Sequence, residues 1–364
     1  MIKKEYDKFL LIIVGIFIIS GVFILTSAST GLLSRNGNVS LSNILFRQFV
    51  LGLGEGIILF LITSRIHYKK WKKFALIIFL ISFLLTVLVF ESHIGFGHGG
   101  ARRWLNIGQF FFQPSELLKL AFIIYLASWL STRQEHVQSF KFGLVPFLII
   151  VGLVGLVLIK QPDIGTLGVV AITSLTMFFI GGGRLSQIAF TIFLGVILVY
   201  ILTLTYPHVA NRLVVFLNPS ADPQGIGYQM KQSLIAIGSG GLLGRGFGMS
   251  VQKFYYLPEP IGDSIFAVFA EEFGFMGSLF LIGLFMFFLY RGFSIVLKVP
   301  DQFARLLGSG IVILIVAQSL INIGSMTGII PLTGLPLVFI SQGGSSLAMA
   351  MAEVGILFNI SRYV

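Results

Sequence analysis

The stretch GLVPFLIIVGLVGLVLIKQPDIGTLGVVAITSLTMFFIG, residues 143–181, decides the fold. Its only charges are Lys160 and Asp163, and they fall together in its middle. On either side the chain is apolar for long enough to cross a bilayer, which takes about 20 residues. Pro162 ends the first run, and Asp163 can cap the helix that follows. The stretch therefore reads as two membrane helices, over 143–160 and 165–181, joined by a tight turn.

The same pattern recurs along the 364 residues. Spans are expected at 9–27, 46–64, 74–91, 115–131, 143–160, 165–181, 186–204, 265–290, 306–325 and 342–360, giving about ten at the usual bilayer thickness. The fold class is an all-α polytopic membrane protein with a long extracellular loop between helices 7 and 8. Only 11% of residues are charged while 56% are hydrophobic. A water-facing domain carries about a quarter charged residues, so a soluble fold is excluded. The 42 glycines suit closely packed membrane helices. With no cysteine, disulfides and thiolate metal sites are excluded. The run from Phe9 to Thr26 lacks a convincing cleavage site and reads as the first span rather than a leader.

The formal charge of +11 would suggest nucleic acid in a soluble protein. In a membrane protein its distribution sets orientation instead, and no nucleic-acid partner is expected. With the N-terminus in the cytoplasm, Lys3, Lys4, Lys8, Arg65, Lys69, Lys70, Lys72, Lys73, Arg133, Lys141, Arg184, Arg291, Lys298, Arg305 and Arg362 fall on one side. The short loops of the other side hold Arg35, Arg47, Arg102, Arg103 and Lys160. Both termini are thus expected inside, on a single domain over 1–364. Two outer loops, about 92–114 and 205–264, are long enough to carry function.

Polar residues at membrane depth are the candidates for chemistry. Glu116 and Lys119 share one helical face, as a pair that fastens helices or as a cation beneath an anion-binding cavity. The segment Gly99–Gly100–Ala101–Arg102–Arg103–Trp104 offers two cations and an interfacial ring, which would also serve as an anchor. In the long loop come Gly238–Ser239–Gly240–Gly241, Gly244–Arg245–Gly246–Phe247–Gly248, Lys253, Leu257–Pro258–Glu259–Pro260 and Asp263. Its glycines fit no nucleotide-binding pattern. Asp263 precedes a helix and reads either as its cap or as a carboxylate whose partial burial makes it a base. Glu271 and Glu272 lie deeper and call for Lys or Arg partners. His93 and His98 share a loop without metal-ligand spacing. Residues 328–336, broken by Gly and Pro, look re-entrant or interfacial. Ser341–Gln342–Gly343–Gly344–Ser345–Ser346 opens the last span where a helix N-terminus attracts anions.

Several motifs in order carry a resemblance over about 9–362: ARRWLNIG with FQPSELLKL, KQPDIGT, YQMKQSLIAIGSGGLLGRGFGMSVQKFYYLPEP, DSIFAVFAEEFGFMG, PLTGLPLVFISQGGSS and NISR. The sequence resembles the SEDS family (shape, elongation, division and sporulation) of the FtsW/RodA type, leaning to the FtsW branch. That resemblance implies a peptidoglycan glycosyltransferase of the bacterial cytoplasmic (inner) membrane. It would polymerise lipid II into β-1,4 glycan at the outer face, in septal wall synthesis during cell division. It implies Asp263 as the catalytic aspartate, with Ile261, Gly262 and Ser264 departing from the usual His, Thr and Phe. Around it, Trp104, Arg103, Glu116, Lys119, Arg245, Lys253, Glu259 and Ser345 are the candidate substrate-binding residues. A divalent cation, Mg or Mn, is a candidate helper. The implied partners are a class B penicillin-binding protein transpeptidase and other divisome membrane proteins. The competing readings are a lipid II flippase, a RodA-type elongation polymerase and a recruiting scaffold without turnover.

Overall fold

The computed structural model describes residues 6–35, 46–91, 95–98, 101–107 and 110–364. Lys3, Lys4, His93, Gly99, Gly100 and Gly108 lie outside the described residues, as does most of the first outer turn. Among the described residues, eight helical segments are long and apolar enough to cross a membrane. Every apolar run expected from the sequence coincides with a helix. In chain order these are α1 (Lys8–Arg35), α2 (Gly54–Arg65, entered through a π-wound stretch Arg47–Leu53), α3 (Tyr68–Leu88), α4 (Pro114–Thr132), α5 (Val145–Lys160), α6 (Ile164–Ile180) and α7 (Leu185–Thr205). After the long loop, with its short helices α8 (Pro207–Leu217), α9 (Ile226–Ser239) and α10 (Gln252–Tyr255), come α11 (Ile265–Val296), α12 (Gln302–Met326) and α13 (Gly344–Ile360).

Helices α12 and α13 are central, with 83% and 78% of their apolar windows inside the protein, whereas α7, at 6%, faces outward along almost all its length. Lipid tails are as apolar as leucine, so close packing rather than exclusion from water holds such helices together. Small residues permit it. A Cβ on Gly355 of α13 would stand 2.0 Å from Thr63 Oγ1 of α2, and Thr63 Oγ1 donates to the Ala352 carbonyl at 3.0 Å. Gly310 of α12 fits against Ile123 of α4 and Met177 of α6 in the same way. Leu76, Leu80, Leu84, Phe193 and Val196 are exposed, a face that water would penalise and a bilayer accepts.

The α5–α6 turn forms as its sequence indicates, with Asp163 Oδ1 accepting from the Thr166 N–H at 3.3 Å. The chain ends meet at the opposite end of the bundle. The Asp7 N–H donates to Ser361 Oγ, Arg362 donates to the Tyr6 hydroxyl, and Asp7 pairs with Arg291 of α11 at 2.5 Å.

Three departures from the sequence reading occur, all at the Asp263 end. The first outer loop carries an antiparallel sheet of β1 (Gly95–His98), β2 (Ala101–Ile107) and β3 (Phe110–Phe112). The second outer loop is largely helical. Helix α11 is broken at Gly274, where φ is +67° and ψ −163°. The break frees backbone groups, and the loop after α9 takes them up: the N–H groups of Arg245 and Gly246 donate to the carbonyls of Glu271 and Glu272, and those of Phe275 and Met276 to Gly241 and Leu242. Residues 327–343, which include the stretch 328–336, run into the protein without helix or strand and form a re-entrant segment. Phe339 reaches the middle of α1, stacking on Phe17, and irregular backbone at that depth survives because protein surrounds it.

Gly274→Ala would place a Cβ 2.3 Å from the Gly244 nitrogen in a left-handed conformation. The expected outcome is a destabilisation on the order of 2 kcal/mol or more, read as a lowered melting temperature in detergent. An unchanged melt would show that the break does not need glycine.

Candidate active site

Asp263 sits where α9, α11, α12 and the re-entrant segment meet. Its carboxylate leaves the N–H groups of the first α11 turn alone, so the capping alternative is not realised. Instead Oδ1 accepts from Gln229 Nε2 at 3.1 Å and from Ser264 Oγ at 3.4 Å, and Gln229 Nε2 also donates to Ser264 Oγ at 3.0 Å. Below, Asn322 Nδ2 of α12 donates both to the Asp263 carbonyl at 2.8 Å and to the Leu335 carbonyl at 2.7 Å. Ser341 Oγ donates to the Gly262 carbonyl and the Gln342 N–H to the Ile261 carbonyl. Ile261 and Gly262 thus contribute through backbone, whereas Ser264 contributes its hydroxyl.

Asp263 is half-buried. Burial pushes its pKa up to about 6, Glu259's negative charge adds to the rise, and the hydrogen bonds from Gln229 and Ser264 oppose it. Glu259 itself is exposed, at the turn where φ is +46°, and its carbonyl accepts from the Gly262 and Ser264 N–H groups.

Positive charge approaches from the re-entrant side. Arg212 of α8 donates to the Thr333 carbonyl at 3.1 Å. A Cβ on Gly334 would stand 3.9 Å from both Arg212 Nη2 and Asp263 Oδ2, so this glycine (φ +71°) keeps the space between them open. Burial, then the charge of Arg103, lowers the Arg212 pKa, while Asp163 and Asp263 oppose the change. One turn earlier on α8, the His208 pKa is lowered by burial and by the charges of Arg212 and Arg103, which favours the neutral ring, and its buried Nε2 has no partner among the described residues. Arg103 on β2 is tied to the α5–α6 turn through the Gln161 and Pro162 carbonyls and stands 3.8 Å from Asp163 Oδ1.

Other expected residues lie elsewhere. Lys119 is buried, paired with Glu116 at 2.9 Å and donating to Gln318 at 2.6 Å, while Gln318 donates to the Pro336 carbonyl. This is the fastening alternative, and it holds the re-entrant floor. Ser345 Oγ donates to the Phe111 carbonyl and accepts from the Gln113 N–H, joining α13 to β3 and the start of α4. Trp104 is half-buried on β2, next to Arg103 and opposite Phe96.

Lys253 requires correction. Its side chain is 0% exposed, paired with Glu272 at 2.7 Å and donating to Ser27 Oγ and the Gly248 carbonyl, so no substrate oxygen can reach it. Arg245 pairs with Glu271 at 3.6 Å. Glu271 lies about 12 Å along α11 from Asp263, at 1.5 Å per residue. These cations answer the two glutamates and staple α1, α10 and α11 together.

The residues not foreseen are Arg212, His208, Gln229 and Asn322. A lone Asn inside an apolar span is a signal in itself, since such groups are costly in lipid. His208 and Arg212 also show an i, i+4 spacing. Among the described residues, no cluster of three or more His, Cys, Asp or Glu could hold a metal ion. The exposed Glu259 offers hard oxygens suited to a magnesium-type ion that substrate phosphates would complete.

The family model for FtsW, RodA and SpoVE, described as cell cycle protein, matches residues 7–364. The chain belongs to this family. The SEDS chain is 39% identical to stage V sporulation protein E of Bacillus subtilis, over 99% of its own length and 98% of the relative's. It is 36% identical to a probable peptidoglycan glycosyltransferase FtsW of Trichlorobacter lovleyi, over 98% of its own length and 93% of the other. A solved chain from a peptidoglycan synthase complex, described by its structural coordination of polymerization and crosslinking, superposes with a TM-score of 0.82 at 28% identity, covering 98% of both. The rod shape determining protein RodA of Thermus thermophilus gives 0.72 at 27%, covering 99% and 98%.

Three outcomes test this geometry. Lys253→Met leaves Glu272 buried without its cation, and a loss of roughly 3–5 kcal/mol is expected in a denaturation series. A small change would mean Lys253 is not the lock. If Asp263 acts as a base, its ionised form is lost as pH falls through about 6, so the catalytic rate should drop on that acid limb. Gln229→Leu removes a bond that favours ionisation, and the limb should move to higher pH; a limb that stays put separates Gln229 from the carboxylate.

Proposed function

We propose that this SEDS protein is a peptidoglycan glycosyltransferase, joining lipid II units into β-1,4 glycan at the outer face of the bacterial cytoplasmic membrane. The observation that carries the reading is the half-buried Asp263 carboxylate, held by Gln229 and Ser264 and facing Arg212 across Gly334, in a chain matched end to end by proteins named for that activity. The domain is single, both termini face the cytoplasm, and the Asp263 end faces out. The excess of Lys and Arg at the end carrying the termini supports that orientation.

The reaction breaks the bond from the donor's anomeric carbon to its pyrophosphate and forms one to the acceptor's 4-oxygen. Asp263 takes the acceptor hydroxyl proton as the new bond forms, a contribution of about 10²–10⁴ in rate. Displacement from the opposite face converts the α-linked donor into a β linkage. Negative charge grows on the departing pyrophosphate, where fixed guanidinium groups are most effective. Arg212 and Arg103 fill that role. Trp104, beside Arg103 on the sheet, faces the lipid or sugar. A magnesium-type ion, if bound by Glu259 and the substrate phosphates, would supply further charge to the pyrophosphate while leaving Asp263 free as the base.

The partner is a class B penicillin-binding protein that crosslinks the new glycan. The similar solved chain, whose synthase complex coordinates polymerization with crosslinking, supports that pairing. Relatives named FtsW favour a septal role in division. The 39% identity with a stage V sporulation protein favours sporulation as a second setting for the same chemistry.

Purified protein with labelled lipid II, alone and with a transpeptidase, tests the reading on a gel of glycan length. Asp263→Asn should cost about 10²–10⁴ in turnover while the melting temperature holds. Glycan made at the wild-type rate by that variant would remove the base assignment, and lipid II translocation without polymer would favour a flippase.

A further inference from the structure

At the end of the bundle opposite Asp263 lies a cavity of about 260 Å³. Its walls come from three places: Ile180, Gly181 and Gly182 at the end of α6, Gln302, Arg305 and Leu306 at the start of α12, and Gln134 after α4. The cavity takes no part in the glycosyl-transfer site. Its one charged wall residue is Arg305, which is half-buried. Arg305 Nε is shielded from solvent and has no hydrogen-bond acceptor among the described residues. Nor does any carboxylate among the described residues form an ion pair with this guanidinium. Asp301, one turn earlier, spends its carboxylate on the Ala304 N–H at 3.0 Å. A guanidinium placed part-way into a protein with no counter-charge is unfavourable, and an external anion relieves the cost.

The surroundings specify which anion. Arg133 and Arg184 are exposed on the connections that flank the cavity, and Lys72 of α3 lies over the Phe303 ring at 5.8 Å. The exposed Glu135 and the half-buried Asp301 are the acids on the same connections, so cations outnumber them. The planar guanidinium fork matches phosphate oxygens bidentately, and the Gln134 and Gln302 amides are further donors. Ile180 and Leu306 make the wall partly apolar. The position, at the ends of membrane helices, is headgroup level, where basic pockets between helices bind acidic lipid headgroups.

We propose that this cavity is a binding site for a phosphate-bearing anion centred on Arg305, filled in the membrane by an acidic phospholipid headgroup. Native mass spectrometry of the full chain in detergent tests it, with phosphatidylglycerol against phosphatidylcholine as probes. Wild type should retain phosphatidylglycerol at least tenfold over phosphatidylcholine. Arg305→Gln should lose that preference. Gln134→Trp, which fills the cavity and keeps the charge, should lose it as well, and glycan synthesis by both variants reports that they are folded. A second arm measures melting with inorganic phosphate. A shift in wild type but not in Arg305→Gln, without lipid preference, would retain the site and assign it to free phosphate. Equal phosphatidylglycerol retention by wild type and Arg305→Gln, or neither lipid preference nor phosphate shift in wild type, would overturn the proposal.

Discussion

Peptide groups cannot be left unpaired at membrane depth, and residues 327–343 enter the protein without helix or sheet to pair them. The Asn322 amide is one of the side chains that meet that demand, with Arg212 at Thr333 and Gln318 at Pro336. It donates to Leu335 within the re-entrant segment and to Asp263 above it, so one side chain ties the irregular floor to the reactive carboxylate. Ser341 and Gln342 add a second tie through the Gly262 and Ile261 carbonyls, and Gln48 reaches in from the stretch before α2 to the Ser341 carbonyl and the Gly343 N–H. The carboxylate's position is therefore a consequence of how the protein solves a hydrogen-bonding problem beneath it.

The buried charges divide by what surrounds them. Lys253 with Glu272 and Lys119 with Glu116 are sealed and matched, and their energy goes into fixing one helix arrangement. At Asp263 no cation among the described residues is in direct contact. Arg212 stands beyond Gly334, close enough to favour an anion in the gap and too far to neutralise the carboxylate. That separation leaves the acid in a niche that favours its protonated form, which is how a carboxylate comes to titrate near the pH at which it must accept a proton.

The transmembrane helices were legible because each is an uninterrupted apolar run and lipid admits little else. The sheet was not. Its strands are short and rich in Gly and Phe, so no alternation marks them. Helices α8 and α9 are amphipathic pieces at the protein's outer end, without the continuous apolar character that identified the spans. The α11 break is invisible because one glycine within an apolar run normally costs little; only the loop from α9, paired to the freed carbonyls, makes it a break. The glutamates of α11 announced their need for cations, but residue type did not tell Lys253, which is locked, from Arg212, which is not. For Asp263 the residues alone left cap and base open, and the family resemblance favoured the base; the hydrogen bonds from Gln229 and Ser264 exclude the cap.

The claim that organises this picture is that one carboxylate at the re-entrant floor ionises near pH 6 and not in the ordinary range. Infrared difference spectra of protein carrying ¹³C-labelled aspartate, wild type minus Asp263→Asn, read that ionisation directly across a pH series. The expected midpoint for the Asp263 band is about 6. A midpoint near 4, the ordinary aspartate value, would contradict it.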